Sequence, residues 1–273
     1  VTTTAHPHLS DVVAVVHGRY DPATAAEWDA VGLVCGDVGQ PVRRVLVAVD
    51  PVAATVDEAL ELGADLLITH HPLLLRPVTS VATSTEGLLV QRLVRAGCAL
   101  LAAHTNADVA RDGVSDALAA ALGVSGCRPL VAGATAGTGI GRVGELAVAV
   151  PLRAFAAVVR DSLPVTAQGV RVAGDLDREV RTVAVWGGSG ADALEPATRA
   201  GVDVVVTSDL KHHQVSSHRE AGGPAIVDVA HFASEWPWVP RAAALLVEDL
   251  ATLGFGIETH VSTLVTDPWT ARF

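Results

Sequence analysis

The chain carries one segment twice, and this constrains its fold more than any other feature. Residues 43–71 laid over residues 181–209, 138 positions later and without a gap, give 8 identities in 29 positions. The pairs are Arg43/Arg181, Val45/Val183, Val47/Val185, Ala53/Ala191, Ala59/Ala197, Gly63/Gly201, Asp65/Asp203 and Thr69/Thr207. In the first copy, Arg44–Asp50 (RVLVAVD) predicts a strand, Thr55–Leu62 a helix and Ala64–Thr69 (ADLLIT) a second strand. A helix over about Glu86–Ala96 and a strand over Cys98–Ala103 extend it. Val183–Trp186 opens the second copy as a strand before a helical segment. Strand–helix–strand units of this kind join parallel strands and place their C-terminal ends on one edge, where ligands bind. The expected fold is therefore α/β, with two similar βαβ-containing lobes and a metal cleft between them. The lobes are expected over residues 1–131 and 132–273, joined through the Gly/Ala-rich stretch Ala132–Gly141. The second lobe is expected to include a C-terminal helix (Val239–Leu253) and strand (Gly256–Val265). Leu9–His17 predicts a short amphipathic helix.

Composition narrows the partners. Half of the residues are hydrophobic but only 4% are aromatic, so the core is aliphatic, as strands covered on both faces require. A net charge of −11 removes the broad positive field that non-specific nucleic-acid binding uses, and it disfavours anionic membranes. No run of about 18 apolar residues suggests a membrane span, and the N-terminal VTTTAHPHLSDVV lacks the pattern of a secretory signal. The chain is expected to be cytoplasmic. Cys35, Cys98 and Cys127 form no CxxC, which argues against a disulfide framework or zinc ribbon; Cys98 reads as a buried thiol.

The chemistry-bearing residues follow predicted strands. His70-His71-Pro72 closes one apolar strand, and His104-Thr105-Asn106-Ala107-Asp108 follows another. In the second copy Asp209 ends a strand, and His231-Phe232-Ala233-Ser234-Glu235 repeats the spacing His-x-x-x-acid. Neighbouring histidines on a tight loop point apart, so the doublet suits two different ions better than chelation of one. Nitrogen donors with carboxylates suit Zn, Mn, Fe or Co rather than an all-oxygen calcium site. Asp108 and Glu235 supply the hard donors that bridge cations in two-metal sites.

These residues also carry a resemblance. The chain resembles, nearly end to end, the dinuclear-metal-centre proteins known as GTP cyclohydrolase 1 type 2 homologues, in their short form. The likeness rests on Glu27–Leu33 (EWDAVGL), Asp65–Pro72 (DLLITHHP), His104–Asp108 (HTNAD) and Gly141–Leu146 (GRVGEL). It continues through Trp186–Gly190 (WGGSG), Thr207–His213 (TSDLKHH) and His231–Glu235 (HFASE). The resemblance implies two divalent ions per chain, Zn, Fe or Mn, held by His70, His71, Asp108, His231 and Glu235, with Glu235 bridging. It also implies a homohexamer and a small-molecule substrate, nucleotide or pterin-like. The implied reaction is a hydrolysis that opens a purine-like ring and releases formate. Ala30 stands where the family usually has Asn, and Ser208 where it often has Gly.

Several motifs admit two readings. His104 and His213 are candidates for moving a proton, since histidine titrates near neutral pH; either can equally be structural. Asp209 and His212 follow the second-copy strand and can face the metals. Gly139–Gly144 fits GxGxxG, but a Gly/Ala stretch precedes it and a strand (Glu145–Val150) follows, so it reads as a turn and not a dinucleotide loop. Gly187-Gly188-Ser189-Gly190 can cradle an anion or merely permit a tight turn. Trp236 and Trp238 can stack on a heterocycle, though packing is the plainer role. Two further function classes stay open: a metal-dependent phosphoesterase, with the GGSG turn on phosphate, and a non-catalytic metal-binding scaffold or regulator.

Overall fold

Short runs of fully buried aliphatic residues set the position of every central strand. A computed structural model of the chain describes residues 5–273; Val1–Thr4, the start of the N-terminal stretch, lie outside the described residues. The first elements are α1 (Leu9–Arg19), β1 (Gly32–Cys35), β2 (Arg44–Ala48), α2 (Ala53–Leu62), β3 (Leu66–Thr69), α3 (Thr85–Ala96), β4 (Ala99–Ala102) and α4 (Thr105–Val109). Next come α5 (Val114–Ala121), β5 (Ser125–Ala132), β6 (Gly139–Pro151), α6 (Leu152–Ser162), β7 (Arg171–Ala173) and β8 (Glu179–Ser189). The last are α7 (Leu194–Ala200), β9 (Val204–Ser208), α8 (His212–Glu220), β10 (Ala225–Val229), α9 (His231–Glu235), α10 (Trp238–Thr252) and β11 (Glu258–Val261). The structure is mixed α/β with two sheets, as the sequence predicts. It divides into one unit of residues 1–107 and 239–266, and another of 108–238 and 267–273.

The first unit holds a five-stranded sheet in the order β1-β4-β3-β2-β11. Strands β4, β3, β2 and β11 run parallel, and β1 is antiparallel at one edge. All residues of β3 and β4 are buried, so both strands read as unbroken apolar runs. Leu46, Leu67 and Leu100 pack on one face against Val56 and Ala59 of α2 and Leu89 and Leu93 of α3. Burial of each such leucine stabilises the unit by roughly 1.5–3 kcal/mol. The parallel register brings the C-terminal ends of β2, β3 and β4 to one edge, which the chain leaves at Asp50, His70 and His104.

The second unit holds a six-stranded sheet in the order β5-β6-β8-β9-β10-β7. Only β8, β9 and β10 are parallel, and their ends lead to the GGSG segment, Asp209 and His231. Both faces are covered: Val183, Val206 and Val227 pack with Phe155 and Leu118, while Ala184, Val205 and Ile226 pack with Leu194 and Ala197.

The repeated segment has the same physical content in each unit. Asp65 Oδ2 accepts from the backbone N–H groups of Arg43 (2.7 Å) and Arg44 (3.0 Å). Asp203 Oδ2 accepts from those of Arg181 (2.9 Å) and Thr182 (2.8 Å). In both places the acid that opens the second strand of the βαβ unit pins the start of the first. Burial opposes the charge on Asp203, but these hydrogen bonds outweigh it and hold the carboxyl below its ordinary range.

Three expectations are corrected. The C-terminal helix and strand do not join the second lobe: residues 239–266 belong to the first unit, and β11 pairs with β2 in parallel, Thr259 opposite Val45. The division between units falls after Ala107, not after residue 131, because β5 and β6 are hydrogen-bonded partners in one sheet. Ala132–Gly141 is accordingly no linker: it forms the end of that hairpin, closed by Gly133 N–H donating to Thr138 O (2.9 Å). The apparent GxGxxG lies within β6, where its residue of consequence is Arg142. This side chain is 2% exposed, and all five of its N–H donors are engaged. Nε and Nη2 grip Asp116 of α5 (2.7 Å each), while Nη1 and Nη2 donate to the carbonyls of Gly139, Gly141 and Ala110.

Candidate metal centre

The first unit gathers three imidazoles at the sheet edge. His70 and His71 extend β3, their N–H groups donating to Ala48 O and Val49 O, so the doublet stays in register with β2 before Pro72 ends it. His104 leaves β4 and precedes α4. Ring centroids are 5.2 Å apart for His70–His71, 5.1 Å for His70–His104 and 5.5 Å for His71–His104. One nitrogen from each ring lies within 4.8 Å of the other two, a spacing a single cation can span.

Each imidazole is oriented from behind. His70 Nδ1 donates to Ala103 O (2.9 Å), His71 Nδ1 to Asp50 Oδ1 (2.6 Å) and His104 Nδ1 to Asp29 Oδ1 (2.8 Å). Carbonyls and carboxylates only accept, so Nδ1 carries the proton and Nε2 keeps the lone pair. Carboxylate partners of this kind fix the ring and raise its basicity toward a metal. Asp29 is itself braced by the N–H of Thr105 (3.0 Å) and by Ala30 N–H (2.7 Å). Burial would raise its carboxyl, but the hydrogen bonds from His104 and Thr105 prevail and hold it low. Burial and the neighbouring His70 push His104 down to about 4, despite Asp29, so the ring is neutral at pH 7 and able to act as a ligand.

The second unit supplies a histidine and a carboxylate on one helical turn. His231 opens α9, and Glu235, 3% exposed, lies one turn on, with Nε2 and Oε1 2.9 Å apart. His231 Nδ1 donates to Asp209 Oδ2 (2.7 Å), and that bond holds the Asp209 carboxyl low. Asp209 adopts φ 59°, an unusual conformation for a residue other than Gly. The next amide, Leu210 N–H, donates to buried Asp228 (3.3 Å), which Gln168 and Arg171 also hold.

The GGSG segment is not an anion cradle. Gly187 N–H donates to Ser115 Oγ (3.4 Å), Gly188 N–H to Ser234 Oγ (2.8 Å) and Gly190 N–H to Ser208 O (3.2 Å). Those three donors are committed within the protein. Gly188 serves instead as space: at φ +72° its missing Cβ would stand 2.5 Å from Glu235 Oε1 and 3.3 Å from His231 Nε2. Ser208, the departure from the family pattern, donates to Gly188 O (2.7 Å) and so supports the same backbone.

These donor sets fit a borderline divalent cation. They combine oriented imidazole nitrogens with a buried carboxylate, and the chain leaves room beside that carboxylate. Of the other sequence candidates, Asp108 lies half-buried on α4 and is not in the His70–His71–His104 group. His212 and His213 are exposed on the first turn of α8. Trp238 is fully buried and cannot stack on a ligand, and Trp236 is half-buried. Asp29 and Asp50 were not among the candidates. Asp50 carried a signal, being an acid at the C-terminal end of a predicted strand; Asp29 stands 75 positions from the histidine it holds.

Residues 7–268 match the family described as Duf34/NIF3 (NGG1p interacting factor 3). The chain belongs to the Duf34/NIF3 family. It is 51% identical over 270 residues to a GTP cyclohydrolase 1 type 2 homolog of Streptomyces coelicolor, covering 97% of this chain and 95% of that one. A Mycobacterium tuberculosis protein of the same name is 35% identical, with 96% of each chain covered. Among solved structures, a Bacillus cereus protein related to NIF3 superposes with a TM-score of 0.88 at 27% identity, covering 97% of this chain and 99% of that one. A Staphylococcus aureus hypothetical protein gives 0.89 at 27%, with 98% and 100% covered. The Duf34/NIF3 assignment agrees with the resemblance drawn from the motifs. Among the described residues, no helix is long and apolar enough to cross a membrane.

Proposed function

We propose that this Duf34/NIF3 protein is a dinuclear divalent-metal hydrolase acting on a purine-like or related heterocycle. The observation that carries the reading is the shared orientation of His70, His71, His104 and His231. Each commits Nδ1 to an acceptor behind it and turns Nε2 to its unit's candidate site. Of these, His70, His71 and His231 are, together with Asp108 and Glu235, the proposed donors for two ions, and His104 stands beside them. When bound, such ions lower the pKa of a water and polarise the bond that it attacks. The side chains do the rest. Asp50 and Asp209 hold His71 and His231 in one tautomer. Asp29 and His104 form a carboxylate–imidazole pair suited to passing a proton between Nε2 and a reacting group. Buried Glu235 places a negative charge where a cation compensates it. The hexamer implied by the family belongs to the same proposal, and light scattering of the purified protein tests it.

Metal analysis tests the core of this reading. About two ions per chain are expected, and Glu235→Ala should lose most of them. Turnover is then sought with purine nucleotides, pterins and phosphoesters, after adding back Mn, Fe, Zn or Co. Metal-free protein after reconstitution, or full retention by Glu235→Ala, refutes the assignment.

A further inference from the structure

Trp28 is 62% exposed, an unusual place for the largest apolar side chain, and its ring lies against His104 at 5.8 Å between centroids and 76° between planes. The backbone around it is fastened on both sides. Ala26 N–H donates to Thr105 Oγ1 (2.9 Å), Asp29 N–H donates to Ala26 O (2.9 Å), and Asp29 accepts from His104 and Thr105. The backbone that carries the indole is therefore held in place, with the ring against His104 and most of its surface open.

We infer that Trp28 is a stacking platform for the substrate, and that the ligand it takes is a flat heteroaromatic ring. This rests on the proposed hydrolase function and names the residue that recognises its heterocycle. A rigid indole contributes a large π face at little conformational cost, and planar rings stack on such a face whatever their edge pattern. A ring lying on Trp28 stands next to His104, whose Nε2 is the proton-handling atom of the site. The sequence offered Trp236 and Trp238 for this role, but Trp238 is fully buried and Trp28 is the tryptophan that faces outward beside a candidate histidine.

The probes are GMP, which has a planar base, and ribose 5-phosphate, which has none, each titrated into protein of measured metal content. GMP should bind, ribose 5-phosphate should bind much more weakly, and Trp28→Ala should weaken GMP by roughly 5- to 150-fold. Trp28→Phe should restore affinity to within about threefold of the parent, while losing the quenching of tryptophan emission that GMP causes. Trp269→Ala, at a residue 70% exposed, is the control and should leave GMP affinity unchanged. Unchanged GMP affinity in Trp28→Ala, equal affinity for the two probes, or failure of GMP to bind the parent overturns the inference. So does a smaller particle mass for Trp28→Ala by light scattering, which would make Trp28 a contact between copies. Metal content separates the two claims: protein without metal defeats the hydrolase reading, whereas metal-loaded Trp28→Ala with parental GMP affinity defeats only the stacking role.

Discussion

Replacing Gly188 by alanine tests whether the backbone was shaped around Glu235. At φ +72° an L-residue is strained by roughly 1–2 kcal/mol. The added Cβ would also sit 2.5 Å from Glu235 Oε1, against the 3.4 Å at which ordinary contact begins, so about 0.9 Å must be found. Glu235 is 3% exposed and has little room to withdraw, and overpacking of this kind costs about 1–3 kcal/mol more. Gly201 supplies the internal control. Its φ is +66°, yet nothing lies within 4 Å of its Cβ position, so Gly201→Ala carries the backbone strain alone. Urea unfolding of metal-free protein should therefore show a loss of about 1–2 kcal/mol for Gly201→Ala and about 2–5 kcal/mol for Gly188→Ala. Competition with a chromophoric chelator should show metal affinity unchanged in Gly201→Ala and roughly 10- to 100-fold weaker in Gly188→Ala. Equal stability losses with equal metal affinity in the two variants would refute the argument that Gly188 is there for the carboxylate.

Three more outcomes follow from the geometry. Arg142→Met removes the guanidinium from Asp116 and three carbonyls and should lower stability by about 3–5 kcal/mol, read as a melting temperature roughly 10 °C lower; a shift under 2 °C would contradict it. Metal-free protein should lose stability as pH falls from 6.5 to about 4. Folded His104 titrates at about 4 against 6.5 in the unfolded chain, which therefore binds more protons in that window. The loss is about 3 kcal/mol, and His104→Gln should flatten the profile there in denaturant titrations. Asp50→Ala removes the carboxylate behind His71 and should weaken metal binding roughly 10- to 100-fold by calorimetry, with secondary structure by circular dichroism unchanged.

What the sequence disclosed follows the physics of burial. Strands β2, β3 and β4 are covered on both faces and carry unbroken aliphatic runs, so their positions could be read within a residue or two. The doublet, His104 and His231 were legible because each follows such a run. The rest depends on partners that lie far away along the chain. β11 lies inside the strand expected over Gly256–Val265, but the sheet it joins is fixed by pairing with a strand some 200 positions earlier. A Gly/Ala-rich stretch has the composition of a linker, and only the pairing of β5 with β6 shows that it is a hairpin end. Asp29 was visible as part of a motif, but its purpose depends on a hydrogen bond to His104. The GGSG segment was ambiguous until its amides were found to be committed and Gly188 was seen to adjoin Glu235.

The pairing of β11 with β2 bears on the order in which the chain is made. The second unit, apart from residues 267–273, is continuous from 108 to 238, whereas the first needs residues 239–266 to be complete. On the ribosome, β2 emerges with one edge bare and acquires its parallel neighbour only when residues 258–261 follow. At about 5–20 residues per second the intervening stretch of roughly 210 residues takes on the order of 10–40 s. For that time an aliphatic strand (Val45–Ala48) presents unsatisfied backbone groups to other nascent chains. The N-terminal unit thus begins first but waits for residues 239–266 before its sheet can close.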